Sequence, residues 1–142
     1  MIIAVDMDAT MTQDEWPRLG PNVPWAFEVV RELVRNGHKI ILLTQREHVG
    51  VDDVPDVLQV AIDKFVEERI PLYSVNSFPE EDNVYFPSRK VYADVYVDDH
   101  NAGIQRKPYI NGDGDNSPYV DWEVLDEWFV REGYYQNRVC KA

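Results

Sequence analysis

The sequence predicts an α/β fold with a mostly parallel central sheet. Three observations carry that prediction. Four short apolar runs recur along the chain, amphipathic helical stripes separate the first three of them, and polar groups suited to ligand binding follow several of the runs. Strands that alternate with helices imply parallel pairing through right-handed crossovers. In open sheets of this kind, ligands bind beyond the carboxyl ends of the strands.

Ile2-Ile3-Ala4-Val5 reads as a strand buried on both faces. Asp6 and Asp8 follow it, and side chains two residues apart in an extended segment point the same way. Residues 9–21, with Gln13, Asp14, Glu15, Pro17, Gly20 and Pro21, read as an irregular excursion over the strand end. Trp16 lies in its middle, either as packing or as a flap side chain over a substrate.

Asn22 suits an N-cap, and Pro24 fits a first turn where a missing N–H does no harm. Ala26, Val30, Leu33 and Val34 form a stripe, Gly37 suits the C-terminal stop, and the helix is expected over about 23–36. The second strand, Lys39 to Leu43, ends in Thr44, Gln45 and Arg46. Pro55 opens a second helix that carries Val57, Leu58, Ala61, Ile62, Phe65 and Val66, and Pro71 to Val75 form a third strand.

Residues 76–90 form a long polar connection, a length often associated with function. It ends in Arg89 and Lys90, just before a fourth strand, Ala93 to Val97, that delivers Asp98 and Asp99. Residues 105–118 read as a loop; Asp113 and Asp115 lack the spacing and the closing Glu of an EF-hand. A last helix over about 121–132 places Leu125, Trp128 and Phe129 on one side and stops at Gly133. The tail from Tyr134 is aromatic, then basic, and suggests no function.

The 142 residues suffice for one domain, expected over 1–142, with a core that needs no disulfides. Cys140 is the lone cysteine, so a disulfide framework is excluded and a reducing cytoplasm is expected. No apolar run approaches a membrane span, and the apolar start before Asp6 is short for a signal-peptide core. The net charge of −12 disfavours a long polyanion. A small phosphate ester remains compatible, because a bound divalent cation inverts the local field.

Asp6, Asp8, Thr44, Lys90, Asp98 and Asp99 are expected around successive strand ends. Phosphate esters repel nucleophiles until a hard cation neutralises their oxygens, and carboxylates with retained waters suit Mg²⁺. Asp6 and Asp98 are the expected ligand pair, with Asp99 in direct or outer support. Asp6 is also the candidate nucleophile of an aspartyl-phosphate route, and Asp8 the acid and base beside it. Thr44, with Gln45 following, and Lys90 are the candidates to hold phosphoryl oxygens.

Asp6-Met-Asp8-Ala-Thr10, Thr44 after its strand, Lys90, and Asp98-Asp99 resemble the four motifs of the haloacid dehalogenase-like phosphohydrolase superfamily. The resemblance covers about residues 1–103 and extends to Trp16-Pro17, Leu43-Thr44-Gln45-Arg46 and Ser88-Arg89-Lys90. It is similar to small, capless bacterial and phage members. The resemblance implies a Rossmann-like three-layer sandwich with a minimal cap, Mg²⁺ dependence, and Asp8 as a further metal ligand through its carbonyl. The superfamily usually has Gly at Ala9, where Ala is tolerable in a right-handed helical turn, and related sequences often have Arg at His100. The expected partner is a small phosphorylated substrate, such as a nucleotide or sugar phosphate. A phosphorylated polynucleotide end and a non-catalytic metal or phospho-ligand module are the alternatives.

Overall fold

Register sets the level of the site. In the computed structural model, which describes residues 1–82, 88–108 and 118–140, β1 (Ile2–Val5) pairs in parallel with β4 (Lys39–Leu42) and β6 (Val95–Val97), and β4 pairs in parallel with β5 (Ser74–Val75). The order is β5-β4-β1-β6, and Val5 lies beside both Leu42 and Val97. Asp6, Leu43 and Asp98 therefore leave the sheet side by side, as neighbours at the strand spacing of about 4.8 Å.

Among the described residues the small α/β fold has three α-helices, α1 (Ala26–Arg35), α2 (Val57–Glu67) and α3 (Trp122–Arg131). Phe27, Val30 and Leu33 of α1, Leu58, Ala61 and Phe65 of α2, and Trp122 and Phe129 of α3 join Ile3, Val5, Ile40, Leu42 and Val97 in one buried cluster. The alternate residues Ala4 and Ile41 face the other way, against Ala93, Tyr73, Phe78, Val91 and Tyr96. A three-layer sandwich has helices on both faces; among the described residues the helices join the first cluster. The connection between β5 and β6 supplies Phe78 and Val91 to the second face.

Several local expectations are corrected. Residues 9–21 hold an antiparallel hairpin, β2 (Thr12–Glu15) and β3 (Arg18–Asn22), with a cis Trp16–Pro17 peptide at its turn. Gly20 permits the pairing, since a Cβ there would lie 2.3 Å from the carbonyl oxygen of Gln13. Asn22 cannot cap α1 because it is still in β3 opposite Thr12, and its amide donates to Glu68 at 2.9 Å. The N-cap position of α1 is Trp25, left-handed at φ 71 and without a side-chain cap. Ala9 is also left-handed, at φ 61, so its turn is not right-handed helical. Its N–H donates to Thr12 and its carbonyl accepts from Val120, two bonds that offset a strain of about 1–2 kcal/mol. Residues 106–107 and 119–120 pair as β7 and β8 at the base of the expected loop; Asp113 and Asp115 lie outside the described residues.

The tail belongs to the core. Tyr135 and Cys140 are buried in the first cluster, and Asp126 of α3, fully buried, accepts from the Tyr135 hydroxyl, Val139 N at 3.1 Å and Cys140 N at 2.8 Å. Burial pushes the Asp126 carboxyl up, but these donors outweigh it and hold it below the usual range. Asp126→Ala leaves two buried donors and the half-buried Val139 N–H without their acceptor. We expect a loss of about 3 kcal/mol in urea unfolding, and a loss below about 1 kcal/mol would refute the tether.

Candidate active site

Three strand ends, of β1, β4 and β6, and the hairpin build one cleft. It encloses about 600 Å³ and is lined by Asp6, Asp8, Asp14, Trp16, Leu43, Thr44, Gln45, Arg46, Asp98, Asp99 and His100. Six of the seven expected site residues, Asp6, Asp8, Thr44, Gln45, Asp98 and Asp99, share this lining. Lys90 does not. It lines an adjoining hollow of about 350 Å³ with Asp6, Leu43, Tyr96, Asp98 and Asn101, and its ammonium lies 5.4 Å from the centre of the Tyr96 ring.

The turn after β1 is wound tightly around Met7, whose carbonyl accepts from Thr10, Met11 and Thr12. Met7 and Met11 are fully buried, which anchors the turn and leaves Asp6 and Asp8 half-buried above the sheet. The buried Thr10 hydroxyl accepts from Asp99 N at 3.2 Å, and the Thr10 carbonyl accepts from the Trp122 indole at 2.7 Å. Thr10 thus locks the Asp98–Asp99 turn and α3 to the turn after β1.

At the end of β4, Thr44 N donates to the Asn76 side chain at 2.7 Å, and the Thr44 hydroxyl accepts from Arg46 N at 3.2 Å. Asn76 directly follows β5 and is left-handed at φ 52. Its sequence context marks only a polar connection, yet it shapes the Thr44 turn.

Arg46 has the largest role that sequence reasoning missed. It is 1% exposed, and its Nε and one Nη donate to the two oxygens of Asp8 at 2.8 and 2.7 Å. The same guanidinium donates to the carbonyls of Pro17 at 3.0 Å, Val57 at 2.8 Å and Arg18 at 3.3 Å. One side chain therefore ties the hairpin, the start of α2 and Asp8 together. The local signal was its place right after Thr44-Gln45; its partners are distant in sequence.

The acidic end of the cleft is electrostatically loaded. Burial, then the Asp98 carboxylate, with smaller contributions from Asp99 and Asp8, pushes Asp6 up to about 8. Burial also raises Asp99, which is 5% exposed; His100 opposes that rise and Asp98 adds to it. Among the described residues, Asp98, Asp99 and His100 each offer a ligand atom within 4.8 Å of the others. The His100 ring is 84% exposed and lies 3.5 Å from Asp99. Burial and the neighbouring Asp98 thus disfavour Asp6 and Asp99 as anions, an imbalance that a divalent cation beside their oxygens would relieve.

No family model matches the chain, and no curated protein matches it. Among solved structures, a conserved protein coded by a locus from Bacteroides thetaiotaomicron is similar, with a TM-score of 0.68 and 27% identity. The match covers 100% of this chain and 98% of that one, so the likeness in fold runs from end to end. No helix among the described residues is long and apolar enough to cross a membrane.

Proposed function

We propose that the chain is a Mg²⁺-dependent phosphomonoesterase of the haloacid dehalogenase type, acting on a small phosphate ester. The observation that carries this reading is the shared cleft of Asp6, Asp8, Thr44, Asp98 and Asp99. The fold reading that goes with it is Rossmann-like, with the connection between β5 and β6 in place of a helical layer on the second face.

Asp6, Asp98 and Asp99 would hold the cation, with the Asp8 carbonyl as a further ligand. When bound, Mg²⁺ supplies charge neutralisation for the phosphoryl oxygens and for the crowded carboxylates. Asp6 attacks phosphorus through a carboxylate oxygen as the ester oxygen leaves, giving an aspartyl-phosphate. Asp8 passes a proton to that leaving oxygen, then takes one from the water that hydrolyses the acyl phosphate. Both Asp8 oxygens accept from Arg46, so one guanidinium bond opens for Asp8 to carry the proton. Thr44 and Gln45, which line the cleft from the end of β4, would hold the phosphoryl oxygens, and Lys90 would have to extend out of the adjoining hollow to join them.

The test is phosphate release from a panel of nucleotides, sugar phosphates and an aryl phosphate. Release should require Mg²⁺, stop with chelator and return on readdition. Beryllofluoride should give a stable acyl-phosphate mimic only when Mg²⁺ and Asp6 are both present. Cation binding without turnover on any ester favours the non-catalytic module. Undiminished turnover in Asp6→Asn would put the chemistry elsewhere.

A further inference from the structure

Trp16 is 51% exposed at the hairpin turn, although it lines the main cleft. The phosphoryl chemistry gives this large ring no role. Its ring centre lies 4.9 Å from the guanidinium carbon of Arg46, a buried cation fixed by Asp8 and the carbonyls of Pro17 and Val57. The ring is thus backed by a rigid group while much of it stays open. Asp14, in the same lining, accepts from Trp16 N at 3.2 Å and adds an acceptor group beside the ring.

We propose that Trp16 is a stacking platform for the base of a nucleoside monophosphate, a substrate class that rests on the phosphatase reading of this cleft. An aromatic ring backed by a cation suits a planar base, and stacking of this kind tolerates different bases. A cleft of about 600 Å³ lies in the range of small-molecule sites and leaves room beyond the phosphoryl group. The Asp14 carboxylate suits the donors of a nucleoside, the ribose hydroxyls or base N–H groups. Asp6, Asp8, Asp14, Asp98 and Asp99 surround one cleft, and this acidic wall disfavours further phosphates, hence a monophosphate over a triphosphate.

The experiment measures kcat/KM for adenosine monophosphate and glycerol phosphate with Mg²⁺, in wild type, Trp16→Ala and Trp16→Phe. Tryptophan fluorescence is titrated with adenosine monophosphate in parallel. Trp16→Ala should lower the ratio of the two kcat/KM values about tenfold, and Trp16→Phe, which keeps a flat ring, should retain most of it. An unchanged ratio in Trp16→Ala overturns the platform while both esters still turn over, leaving the phosphatase reading intact. Failure of wild type to hydrolyse these two esters or any other ester of the panel removes the phosphatase reading, and the platform is then judged on fluorescence alone. Saturable quenching that Trp16→Ala abolishes supports it, and equal or absent quenching overturns it.

Discussion

Asp6→Asn should abolish phosphate release and, in the absence of metal, make the protein more stable. Burial and Asp98 push the Asp6 carboxyl up to about 8 in the folded chain, against an ordinary value of 3.8. Between those values the folded state holds its proton more tightly than the unfolded state. Stability is therefore lost as pH rises from about 4 to about 8, and the loss is complete above that. Asn occupies nearly the same volume and has no charge to desolvate. With each pK unit worth about 1.4 kcal/mol and the cleft admitting solvent, the gain at pH 8 is on the order of 3 kcal/mol, or roughly 5 to 10 °C in Tm. At pH 5 the advantage shrinks to a fraction of this. Thermal unfolding with chelator at the two pH values measures the gap directly. A gap that stays constant with pH would mean that Asp6 is not strained as an anion. Mg²⁺ should raise the Tm of wild type and do much less for the variant.

Arg46→Met should cost about 3–5 kcal/mol, the loss expected when one partner of a buried ion pair is removed. The methionine keeps apolar bulk but leaves Asp8 without its two donors and the carbonyls of Pro17 and Val57 without theirs. Asp8→Asn added to Arg46→Met should recover part of the loss, because the second change removes the stranded charge. Urea unfolding of the two single variants and the double variant forms the cycle. A single-variant loss under about 1 kcal/mol, or a strictly additive double variant, would reduce Arg46 to a surface-like contact.

Short-range patterns showed most of the sheet and most of the carboxylates. Asp6 and Asp8 follow a fully apolar strand, and Asp98–Asp99 do the same, so alternation and strand ends sufficed to bring them together. The hairpin was hidden because Pro17, Gly20 and Pro21 are loop signals taken singly. What makes them a hairpin is the close approach of Gly20 to Gln13, which is a pairing property. The start of α1 was misread for a related reason: Asn22 is a good cap residue, but the strand it closes holds it extended. Arg46 and Asp126 were illegible as hubs. Arg46 serves Asp8 from 38 positions away, and no periodicity encodes such a pairing. Lys90 was placed one hollow aside because its strand-proximal position fixes its level along the sheet and not its direction.

The sheet is covered unequally, and that has a consequence for how the cleft comes together. The centre of the sheet, β1 and β4, shares one cluster with all three helices, so opening there means opening the whole protein. Strand β6 differs in its pairing: although Val97 joins the same cluster, the strand is short, lies at an edge and, among the described residues, pairs with β1 alone. Beyond that ladder, the Ile2 N–H to Asp94 carboxylate and the Asp99 N–H to Thr10 hydroxyl bonds are among its few side-chain fastenings. Edge segments with few fastenings belong to the cooperative units that open most cheaply. Asp98 and Asp99 thus follow a strand expected to open more cheaply than the central strand that Asp6 follows. A cation that bridges Asp6 to Asp98 would act as a clasp between the two, coupling its own affinity to the closing free energy of the β6 edge.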